Sequence, residues 1–148
     1  MGDNSIYIIG YGNPGRQDDG LGPAFIHLID EWEIACIATQ MNYQLTVEDA
    51  CDISRFNIVI FVDATRDTSE AFYFREIGTS TLESGLSSHS LSPQALIELC
   101  NTLFYAFPFK NWIISKRECS FKTLTPDKSS LCLDCPWHKL CTTQPLLT

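Results

Sequence analysis

Three residues of the sequence, Asp19, Asp63 and His89, are of types that bind metals. Asp19 closes an Asp-Asp pair in a glycine-rich loop, Asp63 stands at the end of an apolar run, and His89 comes just before a helix. Ligands of parallel sheets bind beyond the carboxyl ends of the strands, so we expect these residues at one rim. Two carboxylates and an imidazole suit a borderline divalent metal such as zinc or nickel, with positions left open.

Each of these residues also has a plainer interpretation. An Asp at the end of a strand often caps a turn, and a lone histidine in a loop is usually solvated, as we expect for His27. His89 gains its weight only from the two carboxylates that the predicted topology brings near it.

The loop Gly10–Gly22 reads Gly-Tyr-Gly-Asn-Pro-Gly-Arg-Gln-Asp-Asp-Gly-Leu-Gly. It contains G-x-G-x-x-G after a predicted strand, a pattern typical of dinucleotide binding. The next helix begins only after Asp18-Asp19, however, and two carboxylates would repel a pyrophosphate at a helix N-terminus. A glycine-rich turn with an acidic N-cap explains one Asp but not the pair together with the glycines. A nucleotide-binding module is therefore an alternative that the charges oppose.

The cysteines fall into two groups. Cys36, Cys51 and Cys100 stand in apolar contexts and are expected in the core. The other group forms a C-x2-C-x2-H-x2-C run that could hold zinc or part of an iron–sulfur cluster, with Cys119 as a spare ligand. The alternative is an irregular tail, because this spacing matches no standard zinc site. An odd total of seven cysteines favours a reducing cytoplasm over a disulfide framework. The run consists of Cys132, Cys135, His138 and Cys141.

Hydrophobic periodicity predicts strands that alternate with helices. The clearest helix has its apolar stripe from Leu21 to Trp32, and Ser92-Pro93 is typical of a helix start. Alternation of this kind predicts an α/β fold: three layers, α/β/α, around a twisted, mostly parallel sheet of about five strands. The predicted strands are 6–9, 34–39, 57–62, 72–77 (near an edge) and 111–115, and a short helix capped by Thr46 and Asp49 ends near Ser54.

The chain of 148 residues has a net charge of −8, which is unevenly distributed. Residues 1–104 carry −11, and residues 105–148 carry +3. A body this acidic repels phosphate backbones, so we expect no nucleic-acid partner. The apolar runs are too short for a membrane span, and we expect neither membrane attachment nor a signal peptide. The length predicts one domain.

The run G-x-G-N-x-x-x-x-D-D-G-x-G at Gly10–Gly22 resembles the signature of the nickel–iron hydrogenase maturation endopeptidases. The resemblance covers about residues 5–105, with Asp63 and His89 in the expected order. It implies that Asp19, Asp63 and His89 are the metal-binding and catalytic residues, and that the fold is phosphorylase/hydrolase-like. It also implies an endopeptidase that removes a C-terminal extension from the hydrogenase large-subunit precursor, whose nickel the three residues recognise. A divalent metal such as zinc is the alternative occupant, and we expect a monomer.

Two mechanisms of cleavage stay open. A metal could polarise the scissile carbonyl or activate water, or it could only dock the substrate while a carboxylate such as Asp18 acts as general base. No Ser-His-Asp or Cys-His constellation is apparent in the sequence. We favour docking, with the hydrolytic role unassigned.

Residues 127–148 lack the closing amphipathic helix that the resemblance implies, so we divide the chain into a protease domain, 1–126, and a Cys-rich tail. A non-catalytic nickel- or metal-binding accessory protein that uses this tail is the competing function. A further hypothesis is that C-x2-C-x2-H, which resembles the nickel-binding end of the hydrogenase large subunit, occupies the Asp19–Asp63–His89 rim in cis.

Overall fold

The computed structural model describes residues 5–16, 19–65, 72–79, 86–87, 90–105, 108 and 110–117. Strands and helices alternate along most of this part of the chain. The strands are β1 (Ile6–Tyr11), β2 (Ile37–Asn42), β3 (Ile58–Thr65), β4 (Phe72–Glu76), β5 (Leu86–Ser87), β6 (Ser90–Leu91) and β7 (Lys110–Arg117). The helices are α1 (Leu21–Glu31), α2 (Asp49–Ile53) and α3 (Pro93–Phe104).

Five of these strands form one sheet in the order β2-β1-β3-β7-β4. The first four are parallel, with Ile6 of β1 in register with Ile37 of β2 and Ile58 of β3. β4 pairs antiparallel with β7 at one edge, and β5 and β6 form a separate two-stranded ribbon. The predicted mostly parallel sheet of about five strands is therefore confirmed, as is the position of 72–76 at an edge.

Helices cover both faces of the sheet, which confirms the three-layer prediction. On one face, α1 packs Phe25, Ile26 and Ile29 against Ile8 and Val62 of the strands. On the other face, apolar residues of α2 and α3 pack against β1, β3 and β7. Full burial of a Val, Leu, Ile or Phe side chain contributes about 1.5–3 kcal/mol to the stability of the fold. The second cluster includes Ile9, Ile53, Val59, Phe61, Leu96, Ile97, Cys100 and Ile113.

Two strand boundaries differ from the predictions. β2 begins at Ile37, not at Ile34, because residues 34–36 form a turn in which the N–H of Ile37 donates to the carbonyl of Ile34. β3 continues through Asp63 to Thr65, because β7 pairs with it along this whole length. Asp63 therefore lies within a strand, not beyond its end.

The plainer interpretation of the Gly10–Gly22 loop, a turn with an acidic N-cap for α1, is not what forms. Gly20 is the N-cap, and the Asp19 carboxylate is directed to another partner. At α3 the prediction is confirmed, since Ser92 is the N-cap, its Oγ accepts the N–H of Ala95 at 3.2 Å, and Pro93 follows.

At α2, the predicted interaction of the Asp49 carboxylate with Thr46 forms, but Thr46 is not the N-cap. Asp49 Oδ2 accepts the N–H of Thr46 at 2.7 Å and its hydroxyl at 3.1 Å, but the N-cap is Glu48. The helix therefore begins at Asp49 itself and ends at Ile53, close to the predicted end.

The three cysteines outside the tail differ in burial. Cys100 is in the core, as predicted, and burial raises the pKa of its thiol to about 11. Cys51 is partly buried, and Cys36 is exposed because it lies in the turn before β2, so its assignment to the core is wrong. None of the described helices has the length and apolarity that a membrane crossing would need. The tail 127–148 lies outside the described residues.

Candidate active site at the carboxyl rim of the sheet

The loop after β1 is folded around Asp19. Asp19 Oδ2 accepts the N–H of Asn13 at 3.0 Å, and Asn13 Oδ1 accepts the N–H of Gly15 at 2.8 Å, which closes an Asx turn. Backbone bonds from Arg16 to Asn13 and from Gly20 to Arg16 complete the loop. The carboxylate of Asp19 is therefore held in one orientation by the loop that carries it.

Gly12 makes this arrangement possible. Its φ of +140° is one that residues with a side chain rarely adopt, and a Cβ placed on it would lie 1.8 Å from the carbonyl oxygen of Asp19. The same Cβ would lie 3.3 Å from Asp19 Oδ1. The backbone of Gly12 thus touches Asp19 directly, one residue after β1 ends.

Gly22 brings the start of α1 against the strands. A Cβ on Gly22 would lie 2.5 Å from the nitrogen of Tyr11 and 2.7 Å from the carbonyl oxygen of Val62. The first turn of α1 therefore sits over the ends of β1 and β3. Asp19 immediately precedes the N-cap, where the helix dipole favours negative charge.

Hydrogen bonds hold Asp63 at the same rim. Its Oδ1 accepts the N–H of Ala64 at 2.7 Å, and its carboxylate accepts a hydrogen bond from the Tyr11 hydroxyl. Burial, followed by the charge and hydrogen bond of Asp63, raises the pKa of Tyr11 well above its usual value. The phenol therefore stays protonated and remains a donor to Asp63 over the physiological range.

Two consecutive residues, Tyr11 and Gly12, contact Asp63 and Asp19 respectively. Both acidic residues therefore lie near the carboxyl-terminal part of β1 and β3, Asp63 within β3 and Asp19 in the loop that follows β1. Sequence reasoning missed Tyr11, which is the variable position of G-x-G. No local signal in the sequence could have found it, because it is the pairing of Gly10 with Val62 in the sheet that makes Tyr11 and Asp63 neighbours.

The other predicted ligands lie outside the described residues. These are His89, the proposed base Asp18, and the tail positions Cys132, Cys135, His138 and Cys141. Among the residues that are described, no group of three or more His, Cys, Asp or Glu side chains is arranged to hold a metal ion. Of the three predicted ligands, the described residues include Asp19 and Asp63, and metal binding by them stays a prediction.

No protein-family model and no curated protein matches the sequence. Solved structures do match the fold. The chain is similar to a nickel–iron hydrogenase maturation protease, HycI, from Thermococcus kodakarensis, with 22% identity and a TM-score of 0.57 over 79% of this chain and 76% of that one.

Two other solved structures agree. A hydrogenase 2 maturation peptidase from a Thaumarchaeota archaeon matches with 16% identity and a TM-score of 0.52, over 77% of this chain and 79% of that one. The hydrogenase maturating endopeptidase HybD from Escherichia coli matches with 16% identity and a TM-score of 0.55, over 76% of this chain and 74% of that one. The chain therefore has the fold of the hydrogenase maturation proteases, as the Gly10–Gly22 motif implied.

Proposed function

We propose that the chain is an endopeptidase that removes the C-terminal extension of a nickel–iron hydrogenase large-subunit precursor after nickel insertion. In this proposal, Asp19, Asp63 and His89 recognise the nickel carried by the precursor. The observation that carries it is the Tyr11–Gly12 link, which holds two carboxylates at one rim of a fold shared with the maturation proteases.

The donor set suits the metal of the substrate. Carboxylate oxygens and an imidazole nitrogen bind borderline divalent metals, and a carboxylate oxygen that accepts one hydrogen bond keeps further lone pairs. The N–H of Asn13 orients Asp19, while the Tyr11 hydroxyl and the N–H of Ala64 orient Asp63. Partners of this kind fix the direction of metal ligands and strengthen binding.

The direction of α3 supports His89 as the third ligand. The helix ends at Phe104, and β7 begins shortly after with Lys110, whose N–H donates to the carbonyl of Asn57 just before β3. The end of α3 therefore lies at the amino ends of the strands, and its start lies about 18 Å away, toward the carboxyl rim. Leu91, two residues after His89, packs against the same core cluster as Tyr11.

In this proposal, the chain promotes hydrolysis by binding the nickel of the precursor and so positioning the precursor at the rim. Holding the scissile peptide beside the rim converts an encounter into an intramolecular arrangement, which lowers the barrier through orientation. Asp18 is the candidate general base that would take a proton from the attacking water. The proposal includes action as a monomer in the cytoplasm.

The test is cleavage of a nickel-loaded large-subunit precursor by the full chain, followed by intact-mass analysis. Asp19→Asn and His89→Ala should abolish the shortening of the precursor. Glu31→Gln removes an exposed carboxylate at the end of α1 and should leave cleavage unchanged. Equal processing by all three variants would exclude the proposed function.

A further inference from the structure

β2 is the outermost strand of the sheet on the side of β1, and part of its backbone faces outward. The carbonyls of Cys36 and Asn42 point toward β1, where they accept the N–H groups of Ile6 at 3.2 Å and Gly12 at 3.0 Å. Backbone groups alternate from one side of a parallel strand to the other along its length. The N–H and C=O groups of Thr39 and Met41 therefore point away from the sheet, and no described strand pairs with them.

Within β2 itself, no charged residue or proline interrupts the outer edge. Natural edge strands are blunted by charged residues, proline or bulges, whereas β2 reads Ile-Ala-Thr-Gln-Met-Asn. Met41 is 42% exposed, and Tyr43, directly after the strand, is 71% exposed. The edge is thus suited to accept an extended chain as an added strand.

Acidic residues flank both faces of this edge. On the α2 face, a shallow depression of about 350 Å³ is lined by Gln40 and Asn42 together with Glu48 and Asp52. On the α1 face, Asp30 is exposed and accepts a hydrogen bond from the Thr39 hydroxyl. Side chains of an added strand alternate between the two faces, so lysine or arginine at these positions would meet negative charge on either side.

The same charges oppose pairing of two copies of this chain. Strand addition between two β2 edges would bring the acidic groups of one copy against those of the other, and opposed like charges destabilise a strand pair. A partner with positive charge is therefore the occupant that the edge favours.

The edge leads directly to the candidate active site. The carbonyl of Asn42, the last residue of β2, accepts the N–H of Gly12, which touches Asp19. A segment bound along β2 would thus be delivered to the loop that holds Asp19.

We propose that the outer edge of β2 binds an extended, lysine- or arginine-bearing segment of the precursor by strand addition. The identity of the partner rests on the proposed function. The binding mode rests on the outward backbone of Thr39 and Met41 and on the flanking carboxylates.

The test uses the ¹⁵N-labelled full chain and a short blocked peptide in which lysine and valine alternate, with no metal or precursor present. Addition of the peptide should shift the amide signals of Thr39 and Met41 and slow their hydrogen exchange. A peptide with glutamate in place of lysine should not bind. Glu48→Lys should weaken binding about threefold, the effect expected for one exposed ion pair, while Glu76→Lys, on β4, should leave it unchanged.

Protection of β4 amides, equal binding of the glutamate peptide, or protection of Thr39 and Met41 by dimerisation without peptide would overturn the inference. Cleavage kinetics separate it from the proposed function. Glu48→Lys should raise KM for the precursor and leave kcat unchanged. If Glu48→Lys cleaves the precursor with an unchanged KM, the edge has no role in substrate binding, but the proposed endopeptidase activity stands. If the chain binds the peptide but never cleaves the precursor, the proposed endopeptidase activity is wrong.

Discussion

The Tyr11 hydroxyl donates a hydrogen bond to the Asp63 carboxylate, across the ends of two neighbouring parallel strands. Burial and the negative charge of Asp63 keep the pKa of the phenol well above its usual value, so this donor is not lost at physiological pH. The bond orients one carboxylate of the rim, while the loop that begins at Gly12 orients the other.

Removal of this hydroxyl should weaken metal recognition without unfolding the chain. In Tyr11→Phe the ring still packs against the core, but Asp63 loses the hydrogen bond from the hydroxyl. We expect nickel affinity to fall roughly tenfold, the lower end of the range for partners of metal ligands. Isothermal titration with Ni²⁺ measures this, with Tyr43→Phe as the matched control because Tyr43 is 71% exposed. Equal affinities in the two variants would contradict a positioning role for Tyr11.

Asp19 holds its loop through a hydrogen bond and is also a proposed metal ligand, and two substitutions separate these roles. Asp19→Asn keeps an oxygen that can accept the N–H of Asn13, so the loop should remain folded while cleavage is lost. Asp19→Ala removes that acceptor. Its free energy of unfolding should therefore be about 1–2 kcal/mol lower than that of Asp19→Asn. Urea denaturation measures the free energy of unfolding, and intact-mass analysis of the precursor measures cleavage. Full activity of Asp19→Asn would rule out metal ligation by this carboxylate.

A side chain at Gly12 should disrupt the site. In Gly12→Ala the new Cβ meets the Asp19 carbonyl at 1.8 Å, on a backbone with φ of +140°. We expect a loss of about 3 kcal/mol in the free energy of unfolding, measured by urea denaturation, because a clash and a strained dihedral combine. Gly78→Ala is the matched control, since a Cβ placed on Gly78 would meet nothing within 4 Å. A Gly12→Ala protein as stable as the control would show that the loop can rearrange.

The buried thiol of Cys100 should make stability fall at alkaline pH. Burial raises its pKa from 9.0 to about 11, so the folded chain keeps a proton that the unfolded chain loses. The contribution is fully present below about pH 9 and is lost as the pH rises toward 11, with a slope of up to about 1.4 kcal/mol per pH unit.

Urea denaturation between these pH values measures the slope, which should be smaller in Cys100→Ala. Cys36→Ala, which changes an exposed cysteine, should keep the slope of the unmodified chain. The same slope in all three proteins would mean that Cys100 does not titrate differently in the folded state.

Local patterns of the sequence were enough to predict most of the elements. The apolar stripe of α1, the Ser92-Pro93 start of α3 and the continuous apolar run of β3 each reflect a preference that is decided within a few residues. The start of β2 and the full length of β3 were not predictable in this way. Their bounds depend on the turn at Ile34 and on pairing with β7, which are set by neighbours distant in the sequence.

The sequence by itself determined the α/β alternation, the glycine-rich loop that carries Asp19 and the apolar run that leads into Asp63. Only the tertiary structure decided what holds them. The register of β1 on β3 brings Tyr11 to Asp63, and the close approach at Gly12 turns Asp19 toward Asn13 and away from the helix N-cap. The physical reason is that register and close approach arise from packing of the whole sheet against its helices, which no local pattern encodes.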